Sequence, residues 1–192
     1  MRGRVIDLGG KRIGKRGAFR PPTEGILCWH YINVETSCRP HLSADIGLLP
    51  VKGEAYDVAI CTETLEHTMS PGQCVAEMRR ILKPGGLAIV TIPFLFPIHA
   101  DPQDYYRFTA DGLKLLFSQF SEVSIGEMGG YSETVRLMLQ LGWRRLRRRK
   151  PMELAAFCFL SLATAFVKVA CHLCGAHDWQ GWTTGYYVLA RR

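Results

Sequence analysis

Ionisable and aromatic side chains are concentrated in one short stretch near the middle of the chain. The segment 99–107 contains an imidazole, two carboxylates, two phenols and a guanidinium within nine positions, shortly after an apolar run at 87–92. Another histidine, His67, follows a second apolar run at 56–62. Because an imidazole titrates near neutral pH, His67 and His99 are the candidates for removing a proton from a substrate hydroxyl group. The alternative for each is a purely structural histidine.

The same segment carries the candidate substrate-binding residues Asp104, Tyr105 and Arg107. A guanidinium can hold a phosphate group through two parallel hydrogen bonds, so Arg107 suits an anionic substrate. The alternatives are that Arg107 only pairs with Asp104 and that Tyr105 only packs against its neighbours. Both interpretations stay open at the level of the sequence.

Glycines and acids mark the other apolar runs. The run 4–8 includes Asp7 and stops at Gly9 and Gly10, which predicts a buried strand that enters a tight turn. Asp7 then either binds a ligand or only satisfies the backbone amides of that turn. Three further acids lie in or beside later runs: Glu35, Asp45 and Glu63. For the first two of these, the alternative is an acid that simply faces solvent.

The elements that must position these residues alternate between strands and helices. The predicted strands lie at 4–8, 29–34, 44–46, 56–62, 87–92, 121–125 and 183–189, and the predicted helices at 71–82, 110–117, 132–149 and 153–174. This alternation predicts a doubly wound, mostly parallel α/β sheet of seven strands, which binds ligands at the carboxyl ends of its strands. We expect a single domain over 1–192, with a helical, apolar and basic insertion at 131–178 before the last strand.

Several segments, taken together, resemble the class I S-adenosylmethionine (SAM)-dependent methyltransferases. The resemblance rests on VIDLG at 5–9, on YDV at 56–58 with TETLEH at 62–67, and on a Glu-x-x-Arg pattern before KPGG at 83–86. These motifs occur in the family's order, with Glu35 and Asp45 in register between them. The resemblance implies a Rossmann-like methyltransferase fold and S-adenosyl-L-methionine as the cofactor.

The resemblance also implies roles for the acids and glycines. It places Asp7, Gly9 and Gly10 beneath the methionine part of the cofactor. It assigns Glu35 to the ribose hydroxyls, since a carboxylate accepts from two vicinal hydroxyls at once. It assigns Asp45 to the adenine amino group. These five residues are therefore the candidate cofactor-binding residues of the first three strands.

A closer resemblance is to a small bacterial subgroup associated with surface-glycan and lipid-linked sugar pathways. It rests on PFLFPIHADPQDYYRFT at 93–109, which follows the strand beside which the active-site mouth lies in this fold. It implies O-methylation of a small-molecule sugar or a lipid-linked glycan. The family also places the stretch after the fourth predicted strand beside the cofactor's methyl group, where Glu63 and His67 are the leading contacts.

The first glycine turn departs from the family's pattern. The pair Gly9-Gly10 is followed by KRI at 11–13 instead of the usual Gly-x-Gly-x-Gly turn and helix, and the helix between the second and third strands is also missing. The alternative function is therefore a non-catalytic cofactor-binding or interaction protein that retains the methyltransferase fold. A nicotinamide oxidoreductase is disfavoured because the full GxGxxG turn is absent.

The charge pattern adds an expectation about partners. The chain carries 24 basic and 17 acidic residues, a net charge of +7, and the densest basic run, RRLRRRK at 144–150, precedes the uncharged stretch 154–167. A membrane-spanning helix needs about 20 apolar residues, so we expect a helix that lies on an anionic membrane surface, or one that packs in a core or dimer. Nucleic acid is disfavoured as a partner. A surface that stacks bases normally has aromatic residues among its basic ones, and here Trp143 alone stands next to the basic run. The sequence leaves the oligomeric state open.

The cysteines predict neither disulfides nor a metal site. Seven cysteines without framework spacing indicate reduced thiols, and the chain opens on a strand pattern without a signal peptide, so we expect a cytoplasmic protein, with a peripheral position on the inner membrane surface as its extension. Cys171, Cys174 and His177 supply three zinc ligands at best, whereas a closed site needs four. We therefore expect no metal.

Overall fold

The computed structural model describes residues 2–14, 24–99, 103–146, 158–159, 161–163, 165–166, 169–170, 173 and 181–192. Six strands are present there: β1 (Gly3–Leu8), β2 (Ile26–Ile32), β3 (Tyr56–Thr62), β4 (Leu82–Pro93), β5 (Glu122–Met128) and β6 (Gly185–Arg191). The main helices are α1 (Pro71–Ile81), α2 (Ala110–Leu116) and α3 (Tyr131–Leu146), and single 3-10 turns lie at Thr36–Cys38 and Leu65–His67.

The strands form one sheet in the order β2-β1-β3-β4-β6-β5. β1 pairs in parallel with β2 and β3, and β3 pairs in parallel with β4. β6 runs the other way, because Arg192 N donates to Gly86 O at 2.9 Å at one end of its pairing with β4, whereas Phe94 N donates to Thr184 O at 2.8 Å at the other. The predicted α/β fold with a mostly parallel sheet is confirmed.

The prediction of seven strands is wrong for the part of the chain that the structure describes. The segment 44–46 forms a turn, in which Leu48 N donates to Asp45 O at 3.1 Å, and nearby only an isolated parallel bridge joins Ile32 to Leu42. The Asp45 side chain accepts a hydrogen bond from Gly47 N, and this local bond favours a turn over pairing with a neighbouring strand. Between β2 and β3 the sequence predicted no helix, and the described residues there contain one 3-10 turn and no α-helix.

Buried aliphatic side chains fix the centre of the sheet. Val5 and Ile6 of β1, Ala59 of β3 and Val90 of β4 are all 0% exposed. α1 starts with proline in its first turn, where the missing amide hydrogen costs no bond. Its buried residues recur at helical spacing on one face: Cys74, Val75, Met78 and Ile81. This face holds α1 in place, and the ends of the neighbouring strands are fixed with it.

The chain divides into two compact units. The first comprises Met1–Pro93, Ile98–Gly126 and Tyr186–Arg192, and the second comprises Phe94–Pro97 and Glu127–Gly185. Within the second unit, α3 begins where Thr134 Oγ1 donates to Gly130 O at 3.0 Å and to Trp182 O at 3.2 Å. The predicted insertion at 131–178 falls in this unit.

Parts of the predicted features lie outside the described residues. These are the loop residues 15–23, the basic residues 147–150, most of the predicted helix 153–174, and the residues Cys171, Cys174 and His177. In the ranges that are described, no helix has both the length and the apolar composition needed to cross a membrane.

Candidate active site

A cavity of about 1030 Å³ opens in the first unit, where the carboxyl ends of β1, β2 and β3 meet. Nine of the predicted site residues line it: Asp7, Gly9, Gly10, Glu35, Asp45, Glu63, His67, His99 and Tyr105. Asp104 and Arg107 are not among the lining residues. The fold therefore brings residues from five separate segments of the chain to one place.

The turn after β1 is held against the neighbouring strand ends. Gly9 has φ +80°, and a Cβ there would lie 2.4 Å from the Thr64 side chain. A Cβ on Gly10 would lie 2.3 Å from the Asp7 carboxyl group. Asn33, which is 8% exposed, donates from Nδ2 to Gly9 O at 2.8 Å. Only glycine fits these two positions, and the backbone of the turn forms part of the cavity wall.

Asn33 is a site residue that the sequence reasoning missed. It directly follows β2, and besides holding the Gly9 carbonyl it accepts a hydrogen bond at Oδ1 from Glu35 N at 2.9 Å. One amide side chain thus joins the first turn to the predicted ribose-binding acid. In the sequence, Asn33 is only a polar residue at the end of an apolar run. That position does not reveal that its side chain bonds the Gly9 carbonyl.

Glu35 lies at the cavity with its carboxylate partly exposed. Its Oε2 accepts from Lys11 Nζ at 3.0 Å, with 47% of the Glu35 side chain exposed, and Ser37 Oγ donates to its Oε1. Lys11 also lines the cavity, which the sequence analysis did not anticipate. The carboxylate is therefore positioned but still reachable by a ligand.

Asp45 reaches the cavity from a turn, and α1 supports that turn. Asp45 Oδ1 accepts from Gly47 N at 2.7 Å. Glu77 of α1 accepts from Leu49 N at 2.9 Å, and Arg80 Nη2 donates to Leu49 O at 3.0 Å. A hydrogen bond from Arg80 holds the pKa of the Glu77 carboxyl below its usual range. The Glu-x-x-Arg pattern of the sequence thus anchors the loop that carries Asp45.

Glu63 and His67 follow β3, where the backbone makes an abrupt change. Glu63 has φ +48°, a left-handed conformation that is rare for a residue with a side chain, and its amide donates to Thr91 O at 2.9 Å. The following 3-10 turn, Leu65–His67, then carries His67 to the cavity. Strained residues of this kind cluster at functional sites, where surrounding contacts maintain them.

The two candidate bases face each other. The His67 and His99 rings have centroids 4.9 Å apart and an interplanar angle of 85°. His67 Nδ1 contacts the carbonyl oxygen of Gln103, and His99 Nδ1 lies 3.2 Å from Asp104 Oδ2. The His67 ring is thus held through its Nδ1 atom, and the His99 ring lies beside the Asp104 carboxylate, which also accepts from the His99 backbone amide.

Glu66 lies between the two Nε2 atoms and was missed as a site residue. Its Oε1 is 3.5 Å from His67 Nε2 and 3.9 Å from His99 Nε2. The side chain is 0% exposed, and neither carboxyl oxygen has a hydrogen-bond partner among the described residues. Burial raises the pKa of the Glu66 carboxyl to about 8. The sequence offered only an acid beside His67, which is equally typical of a helix cap.

Asp104 and Arg107 support the imidazoles. Arg107 Nη2 donates to Asp104 Oδ2 at 2.6 Å, and its Nη1 contacts Oδ1. Asp104, 2% exposed in its side chain, also accepts from His99 N at 3.0 Å. The Arg107 guanidinium holds the pKa of the Asp104 carboxyl well below its usual range. The pairing of these two residues, left open by the sequence, is present, and it orients His99.

Tyr105 lies at the cavity and is tied to the same cluster. Its amide donates to Glu66 O at 2.8 Å, and its hydroxyl donates to Gln103 Oε1 at 3.2 Å. Its side chain remains substantially exposed. The phenol is thus available to a ligand at the cavity mouth.

Comparisons with known sequences identify one segment. A family described as "Methyltransferase domain" matches residues 31–90. The "Uncharacterized 37.1 kDa protein in transposon TN4556" of Streptomyces fradiae is 39% identical over 49 residues, a match that covers 26% of this chain and 14% of that protein.

Solved structures resemble the whole chain in fold. A SAM-dependent methyltransferase from Archaeoglobus fulgidus aligns with a TM-score of 0.59 at 12% identity, covering 100% of this chain and 86% of its own. A phosphoethanolamine N-methyltransferase from Haemonchus contortus, solved with S-adenosyl-L-methionine, aligns with a TM-score of 0.56 at 13% identity, covering 99% of this chain and 48% of its own. The (4+2)-cyclase SpnF aligns with a TM-score of 0.54 at 21% identity, covering 98% of this chain and 74% of its own. The chain therefore has the fold of the SAM-dependent methyltransferases, and its residues 31–90 match a methyltransferase domain.

Proposed function

We propose that this protein transfers a methyl group from SAM to an oxygen atom of a sugar or lipid-linked glycan. One observation carries the proposal: the six predicted cofactor residues, which come from four segments of the chain, line one cavity at the carboxyl ends of parallel strands. Ligands bind at this edge in doubly wound α/β folds. The matched methyltransferase segment, residues 31–90, includes three of these six residues and so supports the same assignment.

The cavity suits the cofactor in size and in chemistry. Its volume of about 1030 Å³ is at the upper end of the range for small-molecule sites. The closely packed Gly9 and Gly10 allow a ligand to approach the backbone of the first turn. Glu35 offers a reachable carboxylate for vicinal hydroxyls, and Asp45 stands on the loop anchored by α1.

The charge of the cavity wall also fits. Among the described residues, four carboxylates line the cavity, those of Asp7, Glu35, Asp45 and Glu63, and one ammonium group, that of Lys11. A cavity lined mainly by one sign of charge attracts ligands of the opposite sign. When bound, SAM supplies a methyl group on a positively charged sulfur.

The chain's own residues then have two tasks. They must align the acceptor oxygen with the methyl group, and they must take the proton that leaves this oxygen as the new carbon–oxygen bond forms. His67 and His99 line the cavity, and the Nε2 atom of each lies within 4 Å of the buried Glu66 carboxyl group, so these two imidazoles are the candidate proton acceptors. Tyr105 stands beside them for contact with the acceptor.

The choice of an oxygen acceptor on a glycan rests on two features. The segment 93–109 resembles that of the bacterial surface-glycan subgroup, and the paired imidazoles suit deprotonation of a hydroxyl group. A lipid-linked acceptor would place the protein at the cytoplasmic surface of the inner membrane.

Calorimetry and a methyl-transfer assay test the proposal. We expect SAM and S-adenosylhomocysteine to bind with a stoichiometry of one, and NADH not to bind. Incubation with SAM and a panel of nucleotide sugars and polyprenyl-linked sugars should release S-adenosylhomocysteine with at least one acceptor. Binding of NADH in place of SAM would refute the methyltransferase assignment.

A second candidate function is cofactor binding without catalysis. The observation in its favour is the segment Gly9 to Gly14, which is not helical in the structure, although the family's first turn normally leads into a helix. This candidate predicts that SAM binds but that no acceptor in the panel is methylated.

A further inference from the structure

We propose that Glu66, His67 and His99 bind a divalent transition-metal ion, best represented by Zn²⁺, in the wall of the cavity. The binding site stands on its own geometry. Its role, which is to hold and activate the acceptor hydroxyl, rests on the proposed methyl transfer. This site differs from the one that the sequence suggested and disfavoured, in which Cys171, Cys174 and His177 would supply three ligands at best.

The three candidate ligand atoms converge from two distant parts of the chain. Glu66 Oε1 lies 3.5 Å from His67 Nε2 and 3.9 Å from His99 Nε2, and each of the three residues has a ligand atom within 4.8 Å of the others. Two ligands bound to one ion at about 2.1 Å in tetrahedral geometry are about 3.4 Å apart. Small side-chain rotations therefore bring all three atoms into a common coordination sphere.

The surroundings of the two imidazoles resemble those of metal-binding histidines: His67 has a carbonyl contact at Nδ1, and His99 has a carboxylate close to its Nδ1. A ligating histidine normally donates its other ring N–H to a carbonyl or carboxylate, which fixes the tautomer and leaves a lone pair for the ion. His67 Nδ1 contacts the Gln103 carbonyl oxygen, and His99 Nδ1 lies 3.2 Å from Asp104 Oδ2. Arg107 in turn holds Asp104 in place through both of its carboxyl oxygens.

Glu66 supplies the second, independent observation. Its side chain is 0% exposed, it lies between the two imidazoles, and neither of its carboxyl oxygens has a hydrogen-bond partner in the part of the chain that the structure describes. A buried polar group is costly to leave without a partner. A divalent ion bound to Oε1 removes that cost and pairs with the negative charge.

The ligand set indicates what the ion does. Two histidines and one glutamate hold catalytic zinc in known enzymes and leave a coordination position for water or substrate. An oxygen bound to such an ion loses its proton more readily. The acceptor hydroxyl bound there would release its proton to solvent and present an alkoxide-like oxygen to the methyl group.

The test measures metal binding directly. The protein is prepared with Cys171→Ser and Cys174→Ser, so that these thiols cannot bind the probe, and is stripped with a chelator. We expect Zn²⁺ calorimetry to give one site per chain, and Co²⁺ to give visible d–d absorption without the sulfur charge-transfer band. Glu66→Gln and the double variant His67→Ala/His99→Ala should each weaken Zn²⁺ binding at least tenfold.

Two further variants keep the test decisive. His41→Asn replaces an exposed histidine that accepts from Tyr31 N at 3.0 Å, and it should bind Zn²⁺ like its parent. Asp104→Asn removes the carboxylate that lies beside the His99 ring and pairs with Arg107, and we expect a 10- to 100-fold loss of affinity, roughly the effect of losing an outer-shell partner. This variant also serves if Glu66→Gln fails to fold.

The outcomes separate the metal site from the proposed function. S-adenosylhomocysteine binding, measured in chelator, should be unchanged in Glu66→Gln if the cofactor site is as proposed. Absence of Zn²⁺ and Co²⁺ binding, or equal binding by the double histidine variant, overturns the metal site alone. Loss of S-adenosylhomocysteine binding in the parent protein overturns the proposed function alone.

Discussion

At the scale of single residues, Glu35 is the acid whose contribution to cofactor binding is easiest to isolate. Its carboxylate is reachable from the cavity and is not part of the buried core. We expect Glu35→Ala to weaken SAM binding by about 1–3 kcal/mol, because the ligand's hydroxyls lose a charged acceptor. Calorimetry measures the change. Glu24→Ala, an exposed acid outside the cavity lining, is the control and should leave the affinity unchanged. Normal affinity in a folded Glu35→Ala protein would remove this residue from the site.

We expect the two imidazoles to contribute to the methyl-transfer step and not to cofactor binding. We expect His67→Ala or His99→Ala to reduce kcat by about 10²–10⁴-fold while the affinity for S-adenosylhomocysteine changes little. The expectation holds whether the imidazoles take the proton themselves or hold an ion that makes the acceptor hydroxyl lose its proton to solvent more readily. Steady-state kinetics on an identified acceptor is the measurement. If both variants keep near-normal turnover, methyl transfer here depends on alignment alone.

Asp57 links β1 to β4 and gives stability a pH dependence. Its Oδ1 accepts from Lys83 Nζ and its Oδ2 from Arg4 N, both at 2.7 Å, and these bonds hold the pKa of its carboxyl below the usual range. The folded state therefore binds fewer protons than the unfolded state. The stabilisation is complete above the unfolded pKa, about 3.9, and is lost as the pH falls through the lower folded pKa.

We therefore expect Asp57→Asn to lower the free energy of unfolding by about 1 kcal/mol at pH 7, and by less at pH 3. Urea unfolding at the two pH values measures both numbers. Asp111→Asn, which removes an exposed pair with Lys114, should have almost no effect at either pH. An equal loss at pH 7 and pH 3 would show that the Asp57 charge contributes nothing.

The next scale is that of the helical elements in the second unit. Five described apolar side chains there alternate three and four positions apart and are 57–79% exposed: Phe159, Leu162, Phe166, Val169 and Leu173. Residues with this spacing share one face of a helix. An exposed apolar face that follows the basic run 144–150 in the sequence favours a helix that lies on an anionic membrane surface over one buried in a core.

We expect the protein to sediment with anionic liposomes at low salt and to remain partly bound at high salt. Each basic residue near the surface contributes about 1 kcal/mol, which salt screens, whereas the apolar contact is not screened. Phe159→Ser/Phe166→Ser should abolish the salt-resistant fraction, and Arg144→Glu/Arg145→Glu should weaken binding at low salt. Ser161→Ala, on the same stretch, is the control. Protein that stays in the supernatant with anionic lipid at low salt contradicts the membrane proposal.

At the same scale, most of the elements, including the short helix α2, could be predicted from the sequence, but the first residues of β4 and the segment 44–46 could not. The apolar runs of β1 and β3 and the periodicity of α1 lie within one or two residues of their observed bounds. The segment 44–46 was mistaken for a strand because hydrophobicity alone does not reveal that Asp45 bonds Gly47 N. Local pattern was sufficient where a run was long, and it failed where one side-chain hydrogen bond decided the backbone.

For the site, the sequence indicated the strand-end residues but not the contacts between them. Asp7, Glu35 and Glu63 were accessible to prediction because they stand where parallel strands end. Asn33 and Glu66 were not, because each acts through a partner far away in the chain, such as the Gly9 carbonyl or the His99 ring. Their roles depend on tertiary contacts that no local spacing encodes.

At the scale of the whole molecule, the fold does not select the reaction. Structures of an N-methyltransferase and of a cyclase align with this chain about equally well, with TM-scores of 0.56 and 0.54. What differs between such proteins is the set of side chains placed on a shared sheet. In this chain that set includes the cluster of Glu66, His67, His99, Asp104 and Arg107.

The strand order also has a consequence for synthesis on the ribosome. β6 lies between β4 and β5 in the sheet, yet it follows β5 in the chain after the long stretch from Gly129 to Thr184. Until β6 has been synthesised, one edge of β4 has no neighbouring strand, and β5 lacks the strand that joins it to the sheet. Unpaired strand edges invite pairing with other chains. We therefore expect the risk of aggregation during synthesis to be greatest before β6 is complete.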